Sequence, residues 1–175
     1  MMPICSPPDP FGVLSFMMNT VVIGIGSPIL SDGAAPLKVI ESLRRKKRSG
    51  IVTTVTLPAG GFDLLTELEG HGKAIIIAVF PGGAGSDVMM TESVVGASSC
   101  GDDQASTLPG DHGVELARVL DVGRTCGYTL PGETVILGIR GADVYTVGEK
   151  QTGVITETVK KITQRVEELL EQWDT

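Results

Sequence analysis

The chain has 175 residues, 42% hydrophobic and 20% charged, and a formal net charge of −7. That size and apolar content suit one domain with a full core, and the acid excess excludes a nucleic-acid backbone as partner, because phosphate neutralisation takes clustered Lys and Arg. No stretch reaches the roughly 20 apolar residues of a membrane span, and three cysteines (Cys5, Cys100, Cys126), odd in number and without metal-type spacing, point to a reducing, cytoplasmic setting.

Residues 1–18 contain Pro3, Pro7, Pro8 and Pro10 and lack a basic segment followed by a continuous apolar run. They do not make a signal peptide. The expectation is a disordered leader over 1–18 and a single domain over 19–175.

Val21-Val22-Ile23 is short and β-branched and reads as a buried strand. Gly24 and Gly26 follow, where Cβ atoms would obstruct a tight turn, and the turn presents one carboxylate, Asp32. A helix from about Ala34 to Lys47 returns across the sheet and ends in Arg44-Arg45-Lys46-Lys47-Arg48. Cations are favoured at a helix C-terminus, so this run reads as a solvated helix end. Ile51–Leu57 reads as a strand, Pro58-Ala59-Gly60-Gly61 as a turn, and Phe62–Leu68 as a short amphipathic helix. His71, after Glu69-Gly70, reads as a solvated turn residue.

Ala74–Phe80 is apolar throughout and is expected as a central strand covered on both faces. Residues 85–92 could add an edge strand, and 93–109, rich in Ser, Gly and Asp, read as the longest loop. Gly110-Asp111-His112 opens a helix with Val114, Leu116, Ala117, Val119 and Leu120 at helical spacing; Thr134–Ile139 is the last interior strand. A helix over Val154–Trp173 puts Val154, Ile155, Val159, Ile162, Val166, Leu169 and Leu170 on one stripe, with Lys160, Lys161, Glu167 and Glu171 toward water. The alternation predicts an α/β three-layer sandwich: an open, mostly parallel twisted sheet of about five strands with helices on both faces, binding ligands beyond the carboxyl ends of the strands.

No nucleotide cofactor is expected. The third glycine of a dinucleotide fingerprint would fall at Ile29, Pro28 stiffens the turn, and there is no Gly-Lys-Ser/Thr phosphate loop. Covalent catalysis is disfavoured too, since Ser27 lacks the G-x-S-x-G elbow and Cys100 has no helix N-terminus to lower its pKa. No catalytic residue can be assigned. Asp32 and His112 remain. Each alone has an ordinary explanation, a turn acid or a helix-entry residue. Together at the carboxyl ends of neighbouring elements, a carboxylate and an imidazole begin a site for a borderline metal such as nickel or zinc.

The order of segments resembles the hydrogenase maturation proteases, nickel-dependent endopeptidases that remove a C-terminal extension from the large subunit of nickel–iron hydrogenases. The resemblance runs from residue 19 to about 172. It rests on Gly24-Ile25-Gly26-Ser27 through Asp32-Gly33, Gly60-Gly61-Phe62-Asp63-Leu64-Leu65, Ile75-Ile76-Ile77, His112-Gly113-Val114-Glu115-Leu116, Val135-Ile136-Leu137-Gly138-Ile139 and the long final helix. It implies a large subunit as partner and nickel carried by that substrate, gripped by a first-turn acid, an Asp after the third strand and a His before the later helix. His112 matches the histidine. With a one-residue deletion Asp32 takes the place of the first-turn ligand; without a gap Gly33 falls there. Ala78 or Val79 occupies the Asp position, and neither binds metal. Thr56-Leu57-Pro58 stands where the family often has Asp-Gly-Gly. The resemblance implies a nickel-reading endopeptidase; the substitutions imply, alternatively, a non-catalytic assembly checkpoint. Asp87, Asp102 or Asp103 could supply the missing acid from a loop.

Overall fold

The computed structural model describes residues 19–46, 52–81, 90–96, 111–141, 143–148 and 153–174, with the side chains of 90–96, 111–115, 117, 153 and 154 outside that description. Strand β1 (Thr20–Ile25) leads through a 3-10 turn (Asp32–Ala34) into helix α1 (Ala35–Arg45), where Pro36 sits in the first turn and pre-sets the helical φ. Strand β2 (Val52–Leu57), helix α2 (Phe62–Leu68) and strand β3 (Lys73–Pro81) follow, then strand β4 (Met90–Gly96), helix α3 (Asp111–Thr125), strand β5 (Glu133–Gly141) and helix α4 (Gly153–Trp173).

The strands form one five-stranded sheet in the order β2-β1-β3-β5-β4. β1, β2, β3 and β5 run parallel and β4 pairs antiparallel with β5. The expected α/β three-layer architecture is therefore observed, with β3 at the centre. Its apolar run is covered on both faces, which is why it does not alternate. On one face Ile75 and Ile77 of β3 and Val135, Leu137 and Ile139 of β5 pack against Val39, Ile40 and Leu43 of α1 and Ile155, Ile162, Val166 and Leu169 of α4. On the other, Ile76, Ala78 and Phe80 of β3 and Ile136 of β5 meet Leu64 and Leu68 of α2 and Leu116 and Leu120 of α3.

The ends of α4 and α1 are tied down by polar contacts. Trp173 Nε1 donates to Glu133 Oε1 at 3.3 Å, and Lys73 Nζ stands 5.0 Å from the centre of the same indole, a cation–π distance. Lys46 Nζ lies 2.6 Å from Glu167 Oε1, so Glu167 is half-buried and joins α4 to α1 rather than facing open water.

Three further expectations need correction. An edge strand lies over Met90–Gly96, overlapping the expected 85–92 at its end, so the first residues of the expected 93–109 loop are paired: Thr91, Val94 and Val95 suit a ladder, and it runs alongside β5 from Ile139 to Glu133, while residues 85–89 and 97–109 lie outside the described residues. Arg44 does not simply extend into water. Its Nε donates to Thr54 Oγ1 at 3.0 Å and its Nη2 to the Thr54 carbonyl at 2.9 Å, covering part of the open edge of β2. His71 is half-buried, with Nδ1 enclosed and lacking a hydrogen-bond partner among the described residues. The leader over 1–18, Lys47-Arg48, Cys5, Cys100, Asp87, Asp102 and Asp103 lie outside the described residues.

Candidate functional site

In an open parallel sheet the connections diverge where the strand order reverses, leaving a crevice beyond the carboxyl ends of the strands. Here β1 connects outward to β2, and the chain then crosses to β3 on β1's other side. A cleft of about 400 Å³ opens there. Ala78, Val79 and Phe80 of β3 form its floor, Gly26, Ser27 and Leu30 one wall, Pro58–Gly61 the opposite wall, and Leu116 and Val119 of α3 its cover. A smaller apolar pocket of about 160 Å³ adjoins it through Gly61 and Val119 and is flanked by Phe62, Leu65 and Val122.

The wall after β1 depends on close backbone approach. A Cβ on Gly26 would lie 2.2 Å from the Gly33 carbonyl oxygen, so only glycine lets the strand exit fold back on the 3-10 turn. The Ser27 N–H then donates to the Gly33 carbonyl at 3.2 Å. This turn is held from outside by the segment after β5. Ser31 N–H donates to the Thr146 carbonyl at 3.0 Å, Gly148 N–H to that of Ile29 at 3.0 Å, and Leu30 bridges Val147 antiparallel.

Asp32 sits at the centre of that junction. Its backbone N–H donates to the Asp143 carbonyl at 3.1 Å, and its Oδ2 accepts the Asp143 N–H at 3.0 Å. The residue is 0% exposed. The carboxylate thus latches the segment after β5 onto the turn after β1. Gly141 permits this: a Cβ there would meet Val144 Cγ1 at 2.5 Å and Asp32 Cβ at 3.1 Å. Asp143 caps its own turn by accepting the Thr146 N–H on Oδ1 at 3.0 Å. Hydrogen bonds from Thr146, first its hydroxyl and then its backbone N–H, hold the Asp143 carboxyl below the usual carboxylate range.

His112 falls in the first turn of α3, beside the cleft's cover, and its side chain lies outside the described residues. Ala78 is 8% exposed on the floor with Val79 beside it, so that position offers no ligand atom. Among the described residues no three His, Cys, Asp or Glu side chains come together as a metal group. A resident metal takes about four protein or solvent ligands.

The sequence reading passed over the rim of the cleft. The large exposed apolar side chains among the described residues are Ile29, Phe62, Val122, Tyr145 and Val147, with Tyr145 74% exposed. Ile29, Tyr145 and Val147 belong to the latched segments on one side; Phe62 and Val122 line the adjoining pocket on the other. The available signal was chemical: few aromatics occur in this chain, and two of them stand beside turns, Phe62 after Gly60-Gly61 and Tyr145 after Gly141.

No family model matches the sequence, and no curated protein does. Solved structures do. The hydrogenase maturating endopeptidase HybD from E. coli aligns with a TM-score of 0.66 and 18% identity, covering 89% of this chain and 93% of that one. A hydrogenase 2 maturation peptidase from a Thaumarchaeota archaeon aligns with a TM-score of 0.64 and 19% identity, over 87% and 97%. This chain has the fold of the hydrogenase maturation endopeptidases. The NiFe hydrogenase maturation protease HybD from Thermococcus kodakarensis is similar at a TM-score of 0.54 and 19% identity, over 87% and 99%. The likeness spans nearly the whole length of each maturation enzyme. Among the described residues no helix is long and apolar enough to cross a membrane.

Proposed function

We propose that this protein acts in hydrogenase maturation as an endopeptidase of the maturation-protease type, receiving the C-terminal segment of a nickel–iron hydrogenase large subunit in the switch-point cleft. The observation that carries this reading is the concentration of exposed apolar side chains around the cleft. Tyr145, which lines the cleft, and Phe62 and Val122, which line the adjoining pocket, continue an apolar lining outward to solvent. Such a patch on a water-soluble surface marks a site that is covered by another chain. The cleft volume, about 400 Å³, suits a few side chains of an extended segment rather than a folded domain.

Nickel in this reading is part of the substrate. Cysteines of the large subunit hold it, and it polarises the scissile carbonyl or a water as a Lewis acid. This chain's own part is to seat the segment, exclude water with Leu116 and Val119, and present His112 from the first turn of α3. Asp32 contributes by holding the wall after β1 in shape through its Oδ2 contact with the Asp143 N–H. The setting in this reading is cytoplasmic.

A second reading has its own support. Ala78 on the cleft floor and the commitment of Asp32 Oδ2 to Asp143 favour a checkpoint that binds the segment without cutting it. Intact mass of a nickel-loaded large-subunit precursor, incubated with the protein and with His112→Ala, separates the two. Loss of the extension with wild type alone supports the endopeptidase. A stable complex with an uncut precursor supports the checkpoint, and neither product nor complex defeats both.

A further inference from the structure

Arg140 lies at the carboxyl end of β5, in register with Phe80 of β3. Side chains alternate along a strand, so Arg140, four residues beyond Ile136, shares the face that Ile136, Ala78 and Phe80 turn toward α2 and α3. Phe80 and Ala78 line the cleft. Ala78 pairs with Gly138, which carries no side chain, and Val144 and Tyr145, just past the end of β5, also line the cleft, so Arg140 stands one strand over from the floor at Phe80 and beside the cleft's β5 end. Arg140 is half-buried, and its Nε is enclosed with no hydrogen-bond partner among the described residues. A guanidinium stays charged and carries five fixed donors, and a buried donor left unsatisfied is destabilising. A buried donor left unsatisfied calls for an explanation, and a partner that arrives with a ligand is one.

We propose that Arg140 is an anion-recognising subsite at the β5 end of the cleft, pairing with a carboxylate of the peptide whose apolar side chains fill the cleft. This inference rests on the reading of the cleft as a peptide site. A carboxylate fits better than a nucleic-acid phosphate, which calls for several clustered cations. With a net charge of −7 the protein does not draw acidic peptides by long-range attraction. Recognition is therefore local and geometric, through one pre-positioned fork. The carboxylate comes from an acidic side chain or from a free chain end.

The test is an NMR titration of the full-length protein, following the Arg140 Nε–Hε signal and the amides of Ala78 and Val119. The probes are N-acetyl-leucine and its neutral counterpart N-acetyl-leucinamide, then N-acetyl-leucyl-glutamate amide and its glutamine equivalent, which separate a chain-end carboxylate from a side-chain one. The expected result is a saturable shift of the Arg140 signal with at least one acid, and tighter binding of that acid than of its neutral counterpart by about fivefold or more. Arg140→Gln removes the preference and Arg140→Lys restores part of it. Cleft amides that shift equally with acid and neutral probes, while the Arg140 signal stays still, overturn the inference and leave the cleft reading standing. A preference that persists in Arg140→Gln overturns it as well, and silence at all three positions counts against both.

Discussion

Replacing Asp32 by Ala separates a latch from a metal ligand. The carboxylate is fully buried and its Oδ2 accepts the Asp143 N–H at 3.0 Å, so the substitution leaves that N–H without its partner and a small void beside Gly141. A hydrogen bond to a charged acceptor contributes about 1.5–3 kcal/mol. In a domain of this size each kcal/mol moves Tm by about 2–4 °C, so Asp32→Ala should melt about 3–12 °C lower. Asp32→Asn keeps an acceptor oxygen in the same place and should recover about half of the loss. Thermal and urea unfolding give the stability, and hydrogen exchange at the Asp143 amide reports the contact itself. Exchange there should quicken in Asp32→Ala more than at core amides of β3. A change in stability below about 0.5 kcal/mol, the range of ordinary surface substitutions, would refute the latch.

Gly26→Ala should destabilise by about 1–3 kcal/mol or more, because the added Cβ would stand 2.2 Å from the Gly33 carbonyl oxygen; urea unfolding measures it, and wild-type stability would contradict the close approach. Trp173 is the single tryptophan, so its fluorescence reports docking of α4. Trp173→Phe keeps most of the apolar surface but loses the Glu133 hydrogen bond and weakens the Lys73 contact, and a loss of about 1 kcal/mol is expected by circular dichroism. Asp143 titrates below its ordinary value of 3.8 in the folded protein because Thr146 favours the ionised form. A lowered folded pKa gives stability that is complete above the ordinary value and is lost as pH falls through the folded one. The protection of the Thr146 amide, measured relative to its intrinsic exchange rate at each pH, should therefore fall on acidification through that region, and Asp143→Asn should flatten the dependence.

The sheet and its helices were legible because they are written in local periodicity. The uniform apolar run of β3 and the 3.6-residue stripe of α4 each exist only for an element with a given number of covered faces, and both were read from sequence to within a residue or two. What escaped depends on partners far along the chain. Asp32 is an ordinary turn acid until Asp143, 111 positions away, offers it an N–H. Arg44 looks like a solvated helix end until α1 lies against the edge of β2 and gives it the Thr54 carbonyl. β4 extends past the expected strand end at residue 92 because an edge strand needs only a few β-branched residues, and Ser93 and Gly96 read as loop signals. The apolar character of the cleft could be anticipated at Ala78 and Val79. Its rim could not, since the turn that carries Leu30 and the segment that carries Tyr145 are joined only through the antiparallel pairing of Leu30 with Val147.

The central claim is that the cleft over β1 and β3 holds the C-terminal segment of a hydrogenase large subunit. The most direct measurement is site-specific photocrosslinking, with benzoylphenylalanine at Tyr145 and, separately, at Val122 on the opposite rim, against a nickel-loaded precursor. The account predicts crosslinks from both positions that map by mass spectrometry to the C-terminal segment of the subunit. Crosslinks confined to other parts of the precursor, or none from either rim while the two proteins are in complex, would contradict it.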